Sequence, residues 1–326
     1  MRAFSGCVAA LLMALCATSL ASGQGRVPVH TQPGPMLEII GYLPDWRLKQ
    51  VPLPALRPLT DLIYFSIEPA PDGSLNTERC GPDALERLRQ IRAVFPGRIL
   101  IAVGGWERSA GFARAATNPV SRERLARNLA HFCTQNGFDG VDFDWEHPAN
   151  AEEAAAYGAL VVGVKRVFRL HRLFVSVTLA RVQHLDRAGY AAADRVQVMS
   201  YDHPGKHSTL AQMQKDVTDF LKAGVPANKL CPGLPFYGRS LKDWHQTLAY
   251  AEIVAQFQPD PEDDEAGDFY FNGLQTVRAK VRYCREKGLR GIMFWELGQD
   301  TRDATSLLRA IYQEARTTAG KQGRDD

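Results

Sequence analysis

The sequence predicts an α/β fold of the (β/α)8 TIM-barrel type in a single catalytic domain, and three observations carry that expectation. Eight short apolar runs recur along the chain, amphipathic segments fill the spaces between them, and most runs lack a clean polar alternation. Strands buried on both faces of a parallel sheet read in that way. Strand and helix alternating eight times over is the barrel pattern. An open doubly wound sheet is the alternative, but no Gly-x-Gly-x-x-Gly follows the first run, so a dinucleotide-binding version loses support.

Taken in order, the chain opens with a positive charge at Arg2, an apolar run from Val8 to Leu15, and small residues at Ala17, Ser19, Ala21, Ser22 and Gly23. That succession predicts a secretory signal over residues 1–21, cut after Ser19-Leu20-Ala21, and hence a secreted or periplasmic protein. The run is shorter than the ~20 apolar residues of a membrane span. Residues 22–36, rich in Gly, Pro and polar side chains, read as a loose leader. The predicted strands are Leu37–Leu43, Leu62–Ile67, Ile99–Val103, Gly140–Trp145, Leu173–Leu179, Val196–Tyr201, Leu230–Phe236 and Gly291–Trp295. The clearest helix spans Pro119–Asn136, with Asn118 as N-cap, Pro119 at the first position and Gly137 beyond the end. Its Leu125, Leu129 and Phe132 recur at helical spacing. A second runs from Leu274 to Lys287, stopped by Gly288. Others cover Asp83–Phe95, Glu152–Phe168, Leu210–Lys222 and Ala304–Ala315, with shorter pieces at His184–Ala193 and Gln246–Gln256. The acidic stretch Asp260–Asp268 reads as a solvated loop. The barrel domain is expected over residues 37–318, with a polar tail at 319–326.

Composition excludes some partners. Against 36 Asp and Glu stand 39 Lys and Arg, both signs are scattered, and no long basic block appears, so no nucleic-acid footprint is expected. No membrane association is expected after signal cleavage. Cys80, Cys133, Cys231 and Cys284 lie far apart with no Cys-x-x-Cys spacing, which argues against zinc. In an oxidising compartment they could form up to two disulfides in any of three pairings; otherwise they are small buried hydrophobes.

Barrel active sites sit at the C-terminal ends of the strands. The fourth strand reads Asp139-Gly-Val-Asp142-Phe-Asp144-Trp-Glu146. Alternation puts Asp142, Asp144 and Glu146 on one face, facing the barrel interior and mouth, and Val141, Phe143 and Trp145 on the other. Residues two apart on that face are only ~6.6–7 Å apart at Cα. Like charges so close cannot all ionise cheaply, so a proton should be shared and one acid kept protonated near neutrality. A divalent-metal site is the competing use of three acids, but His147 has the wrong parity and no other ligand cluster is evident.

These residues bring a resemblance into view. Asp139-x-x-Asp142-x-Asp144-x-Glu146 is similar to the DxxDxDxE signature of the family 18 glycoside hydrolases, the chitinase family. Gly41-Tyr42-Leu-Pro-Asp-Trp46 resembles the family's first strand, Val103-Gly104-Gly105-Trp106 its third-strand SxGG, Met199-Ser200-Tyr201-Asp202 its MxYD, and Phe294-Trp295-Glu296 its last strand. One departure is Ala102, where SxGG has Ser. The resemblance covers nearly the whole barrel.

The resemblance implies hydrolysis of chitin or another N-acetylglucosamine-containing glycan with retention, assisted by the substrate's own 2-acetamido group. Asp144 and Glu146 reach the sugar from one side, unlike the two flanking carboxylates of an ordinary retaining enzyme. By resemblance, Glu146 is general acid and then base, Asp144 steadies the acetamido N–H, Asp142 shares its proton, and Tyr201 donates to the acetamido carbonyl. Asp202 is expected to bind sugar or tune Glu146, and Trp295 to floor the site. Tyr42, Trp46, Gly105, Trp106, Met199, Tyr237 and Arg239 are expected to line the cleft, with Trp244 near a strand end. His203 and His207 read as loop residues. The stretch Leu241–Leu289 is too short for the α+β domain that many members insert there, and two helices use most of it. An open cleft and internal cleavage follow as expectations. No cofactor or metal is implied, and a monomer is expected. An endo-β-N-acetylglucosaminidase or a peptidoglycan-acting relative shares the same features; a non-cleaving lectin typically lacks the glutamate that Glu146 supplies.

Overall fold

The computed structural model of the chain describes residues 36–317. The expected signal segment, all but the last residue of the expected leader, and the polar tail lie outside the described residues. Eight parallel strands close on themselves: β1 (Glu38–Pro44), β2 (Asp61–Pro69), β3 (Arg98–Gly104), β4 (Gly140–Asp144), β5 (Phe174–Ala180), β6 (Arg195–Met199), β7 (Leu230–Pro235) and β8 (Gly291–Trp295). Each pairs with its neighbours in sequence, and β8 returns to β1 through Glu38 opposite Gly291. The expected (β/α)8 barrel is the fold, with strand ends within two residues of the predicted ones.

Side-chain alternation divides the core in two. One set, including Val141, Phe143 and Trp145, packs between the strands and the helices. A smaller set, with Ile40, Ile63, Leu100, Cys231 and Met293, fills the barrel interior. The helix Pro119–Asn136 starts where its sequence says it should: the Asn118 side chain accepts from the Val120 and Ser121 amides, and Gly137 ends it at φ 74°. It buries Leu125 and Leu129 completely, each contributing about 1.5–3 kcal/mol. The four cysteines among the described residues, Cys80, Cys133, Cys231 and Cys284, are buried and unpaired, so none of the three disulfide pairings is formed.

The base of the barrel is held by charge. Glu38, Asp61, Arg98 and Arg195 are the first residues of their strands, and Arg290 immediately precedes β8. Arg195, fully buried, reaches Asp61 at 2.9 Å and Glu38 at 3.2 Å; Arg98 reaches both carboxylates at 2.6 Å, and Arg290 reaches Glu38 at 2.8 Å. The Phe174 ring, opening β5, lies 4.8, 5.2 and 5.4 Å from the Arg98, Arg195 and Arg290 guanidinium carbons.

Between β7 and β8 the structure departs from the sequence reading. No inserted domain is present among the described residues, but a small antiparallel sheet of four short strands stands there, formed by Tyr237–Ser240, Thr247–Ala249, Glu265–Ala266 and Phe269–Tyr270. The expected helix at Gln246 therefore begins only at Tyr250. The acidic stretch contributes one of these strands, and its Asp264 accepts from the Gly273 amide and the Thr276 hydroxyl at the start of the next helix. Among the described residues no helix is long and apolar enough to cross a membrane.

Candidate active site

The site is built outward from β4. Asp142 is fully buried, Asp144 is 4% exposed, and Glu146 stands two residues past Asp144, the last residue of the strand, at the mouth. Their neighbours point outward as alternation requires: Trp145 stacks on Phe112 at 5.1 Å, and the Tyr157 hydroxyl donates to the Phe143 carbonyl. Asp142 sits in a ring of neutral donors. Tyr42 Oη donates to its Oδ2 at 2.6 Å, Thr178 Oγ1 to the same atom at 2.9 Å, and Gln197 Nε2 to Oδ1 at 2.9 Å. Asp144 Oδ1 is buried with no partner.

Electrostatics separate the three acids. Burial raises the Asp142 pKa, although the bonds from Tyr42, Ser176 and Thr178 and the Arg195 charge oppose it. Burial, then the Glu146 and Asp142 charges, drive Asp144 well above the carboxylate range. Burial and the Asp202 charge push Glu146 up to about 7, against a bond from the Trp106 amide. A neighbouring set of carboxyls that cannot all ionise is a set that keeps protons near neutrality.

The loop after β3 clamps this strand end. Gly104 and Gly105 have φ of 92° and 102°, and a Cβ on Gly105 would lie 2.3 Å from the Phe65 ring, so glycine is required. The Gly105 amide donates to the Asp144 carbonyl at 2.6 Å. Ser109 Oγ accepts from the Glu146 amide at 3.0 Å and donates to the Gly105 carbonyl at 3.0 Å, joining the two loops. From β6 come Tyr201, 9% exposed, and Asp202, at φ 58°. Burial, and next the proximity of Tyr237, keep the Tyr201 phenol protonated and thus a donor. Trp295, at the end of β8, packs against Phe65 at 4.9 Å, Tyr42 at 5.5 Å and Trp46 at 6.4 Å. An acid file, a phenol and an aromatic floor thus meet at one barrel mouth.

The sequence model described as glycosyl hydrolases family 18 matches residues 38–300, which take in every element of this site. The chain belongs to glycosyl hydrolase family 18. This family 18 hydrolase is 25% identical over 274 residues to chitinase 1 of Aphanocladium album, covering 66% of this chain and 65% of that protein. It is 27% identical over 301 residues to probable chitinase 10 of Drosophila melanogaster, covering 69% of this chain and 13% of that one. The chain thus spans less than two thirds of the length of these curated relatives. Among solved structures, the chitinase ChiB of Flavobacterium johnsoniae superposes with a TM-score of 0.76 at 24% identity, covering 86% of this chain and 94% of that one. A chitinase of Bacteroides thetaiotaomicron gives the same score at 22% identity, covering 90% and 100%. These structures share the fold.

Within the hydrolase, several expected cleft residues stand elsewhere. Tyr42 does not line the cleft: it is 1% exposed, and its hydroxyl is spent on Asp142 and Thr178. Tyr237 and Arg239 hold Asp202 instead of reaching outward, with bonds of 2.8 Å from Tyr237 Oη and 2.7 Å from Arg239 Nη2 to its Oδ1. Burial alone would raise Asp202, but bonding to His207, the Arg239 charge and the Tyr237 hydroxyl outweigh it and hold the carboxyl below its ordinary value. Gly105 is buried beside Asp144, and Met199 is half-buried against the inner core. Trp46 and Trp106 are open, at 49% and 67% exposure, and Trp244 lies under the Arg239 guanidinium at 4.2 Å. His147, expected to point away, brings Nε2 to 3.6 Å from Glu146 Oε2. His203 is a buried partner of Asp216, at 2.9 Å. Thr178, Gln197, Ser109 and Phe65 were not expected at the site. For Gln197 a signal existed: it is the polar interruption of an apolar strand.

Proposed function

We propose that this protein is a chitinase that cleaves β-1,4 linkages between N-acetylglucosamine units with retention and assistance from the substrate. The observation that carries the reading is the acid file: Asp144 and Glu146 rise from one strand on one face, with a buried Asp142 behind them. Two carboxyls on one face reach the sugar from the same side and do not flank it, which supports the substrate's acetamido oxygen as the nucleophile. Glu146 gives its proton to the glycosidic oxygen as the acetamido carbonyl closes on C1. Asp144, sharing a proton with Asp142, accepts the acetamido N–H, and Tyr201 donates to the carbonyl oxygen. Glu146 then removes a proton from the water that opens the oxazolinium ring, and two inversions at C1 leave the β-anomer. The relatives named as chitinases support the substrate, as does a related cycad chitinase solved with (GlcNAc)3. The exposed Trp46 and Trp106 and the short stretch between β7 and β8 support an open cleft that cuts within chains. The N-terminal signal pattern supports export.

Digestion of an N-acetylglucosamine hexamer followed by NMR tests the reading. Shorter oligomers appearing first as β-anomers are expected; α-anomers would refute retention, and an intact hexamer would send the substrate search to glycoprotein glycans and peptidoglycan. The pH profile gives a second test. Glu146 must arrive protonated, and its pKa stands at about 7 against an ordinary 4.5. The protonated fraction falls as pH rises through that value, so kcat/KM should decline above about pH 7, tenfold per unit. Full activity persisting at pH 9 would take Glu146 out of the acid role.

A further inference from the structure

Gln197 lies on β6, fully buried, and touches nothing that a sugar could reach. Its Nε2 stands among three oxygens: Asp142 Oδ1 at 2.9 Å, Thr178 Oγ1 at 2.7 Å and Tyr42 Oη at 3.2 Å. Its Oε1 is buried without a partner. Turning the amide over would bring Oε1 among those oxygens and leave the NH2 group without a partner, so each orientation leaves one end of the amide unpaired.

Counting hydrogens shows what each orientation serves. With nitrogen inward, Tyr42 and Thr178 each give their one hydroxyl hydrogen to Asp142 Oδ2, and Gln197 gives one to Oδ1 and one to Thr178. Three of these four hydrogens then point at Asp142 and hold it as the carboxylate, the fourth goes to Thr178, and the shared proton stays on Asp144. With oxygen inward, Oε1 faces Asp142 Oδ1 and accepts a proton carried there. We propose that Gln197 is a positioning residue whose amide turns with the proton shared by Asp142 and Asp144, nitrogen inward when Asp142 is ionised and oxygen inward when it is protonated. No bond breaks beyond the O–H transferred between the two carboxyls. The groups that face Asp142 are Tyr42 from β1, Asp144 from its own strand, Ser176 and Thr178 from β5, and Arg195 from β6. Across the β3 ladder stands Ala102, which supplies no hydrogen bond. The Tyr42 and Thr178 hydroxyls meet Oδ2, whereas Gln197 meets Oδ1, where its carboxamide follows either protonation state by turning, without an added proton.

The inference rests on the hydrolytic reading above, and its test separates the two. Gln197→Met keeps the length and removes both amide functions. In it, kcat on the hexamer should fall about tenfold to a hundredfold, the reach of one hydrogen bond to a charged group, with KM unchanged. The acidic limb of kcat/KM should move up by about one pH unit, because the Asp142 carboxylate loses a donor. Gln197→Glu, isosteric and polar, guards against a folding defect. Its carboxyl can donate only while protonated, so activity should survive at low pH and collapse towards neutrality. An infrared titration of the protonated-carboxyl band, recorded without substrate, should shift in both variants. Wild-type kcat and an unshifted band in the two variants overturn the proposal. A wild type inert on the hexamer overturns the chitinase reading alone, because the infrared titration still decides this one.

Discussion

Replacing Glu146 by Gln should lower kcat by roughly three orders of magnitude, within the range that a positioned acid–base group supplies, while binding of an N-acetylglucosamine oligomer holds within a few-fold. The amide keeps the size of the side chain but has no proton to give the leaving oxygen. Nor can it take one from water in the second half of the cycle, so both steps fail together. The substitution also removes one of the two charges that drive Asp144 up, and surviving binding would show that the fold is intact. Calorimetric titration of the oligomer alongside a hydrolysis assay separates the two effects. A variant with more than about a tenth of wild-type kcat, against the ~10²–10⁴ expected for such a group, would remove Glu146 from the chemistry.

The second large effect is on stability. Asp61→Ala should destabilise the barrel by about 3–5 kcal/mol, the penalty for leaving a buried ion without its partner. Arg195 and Asp61 are both fully buried and lie 2.9 Å apart, so the guanidinium left behind would be a buried charge short of a partner. Glu38 would still face Arg195 at 3.2 Å, which places the expectation inside that range and not above it. Thermal denaturation should show a drop of roughly 6–20 °C. Asp61→Asn, which keeps the shape and one acceptor, should lose less. Melting within about 2 °C of wild type would mean that the base is held by packing alone.

The barrel and its acid file were legible because both rest on short-range periodicity. A parallel strand buried on two faces reads as an apolar run, and alternation fixes which side of β4 the acids take. Asn118 and Gly137 likewise announced their helix by local backbone chemistry. What the sequence concealed depends on register between distant strands. Tyr42 sits 100 residues from Asp142, and Gln197 sits 55 residues away; nothing local says that their side chains converge. Sequence alone therefore places Tyr42 in the cleft, whereas its hydroxyl points into the barrel. The same holds for Arg239, whose planar fork closes on Asp202 only because a short antiparallel sheet folds back over the β7 end. That sheet was missed for another reason: strands of two to four residues carry no measurable period. The charged base was missed because each strand contributes a single charged residue at its start.

The closed base has a consequence for the protons of the reaction. Guanidinium groups, two carboxylates and the Phe174 ring occupy the lower end, and the acid file opens to solvent at the mouth, where Glu146 stands. A glycan lying across that opening occupies the route by which protons exchange with bulk water. In the proposed mechanism Glu146 gives one proton away and regains one from the attacking water, leaving the stock of the three acids unchanged. That stock is thus set while the mouth is empty and carried through until product leaves. The acidity of the medium then acts on which enzyme molecules can begin a cycle, and far less on how fast a loaded one completes it.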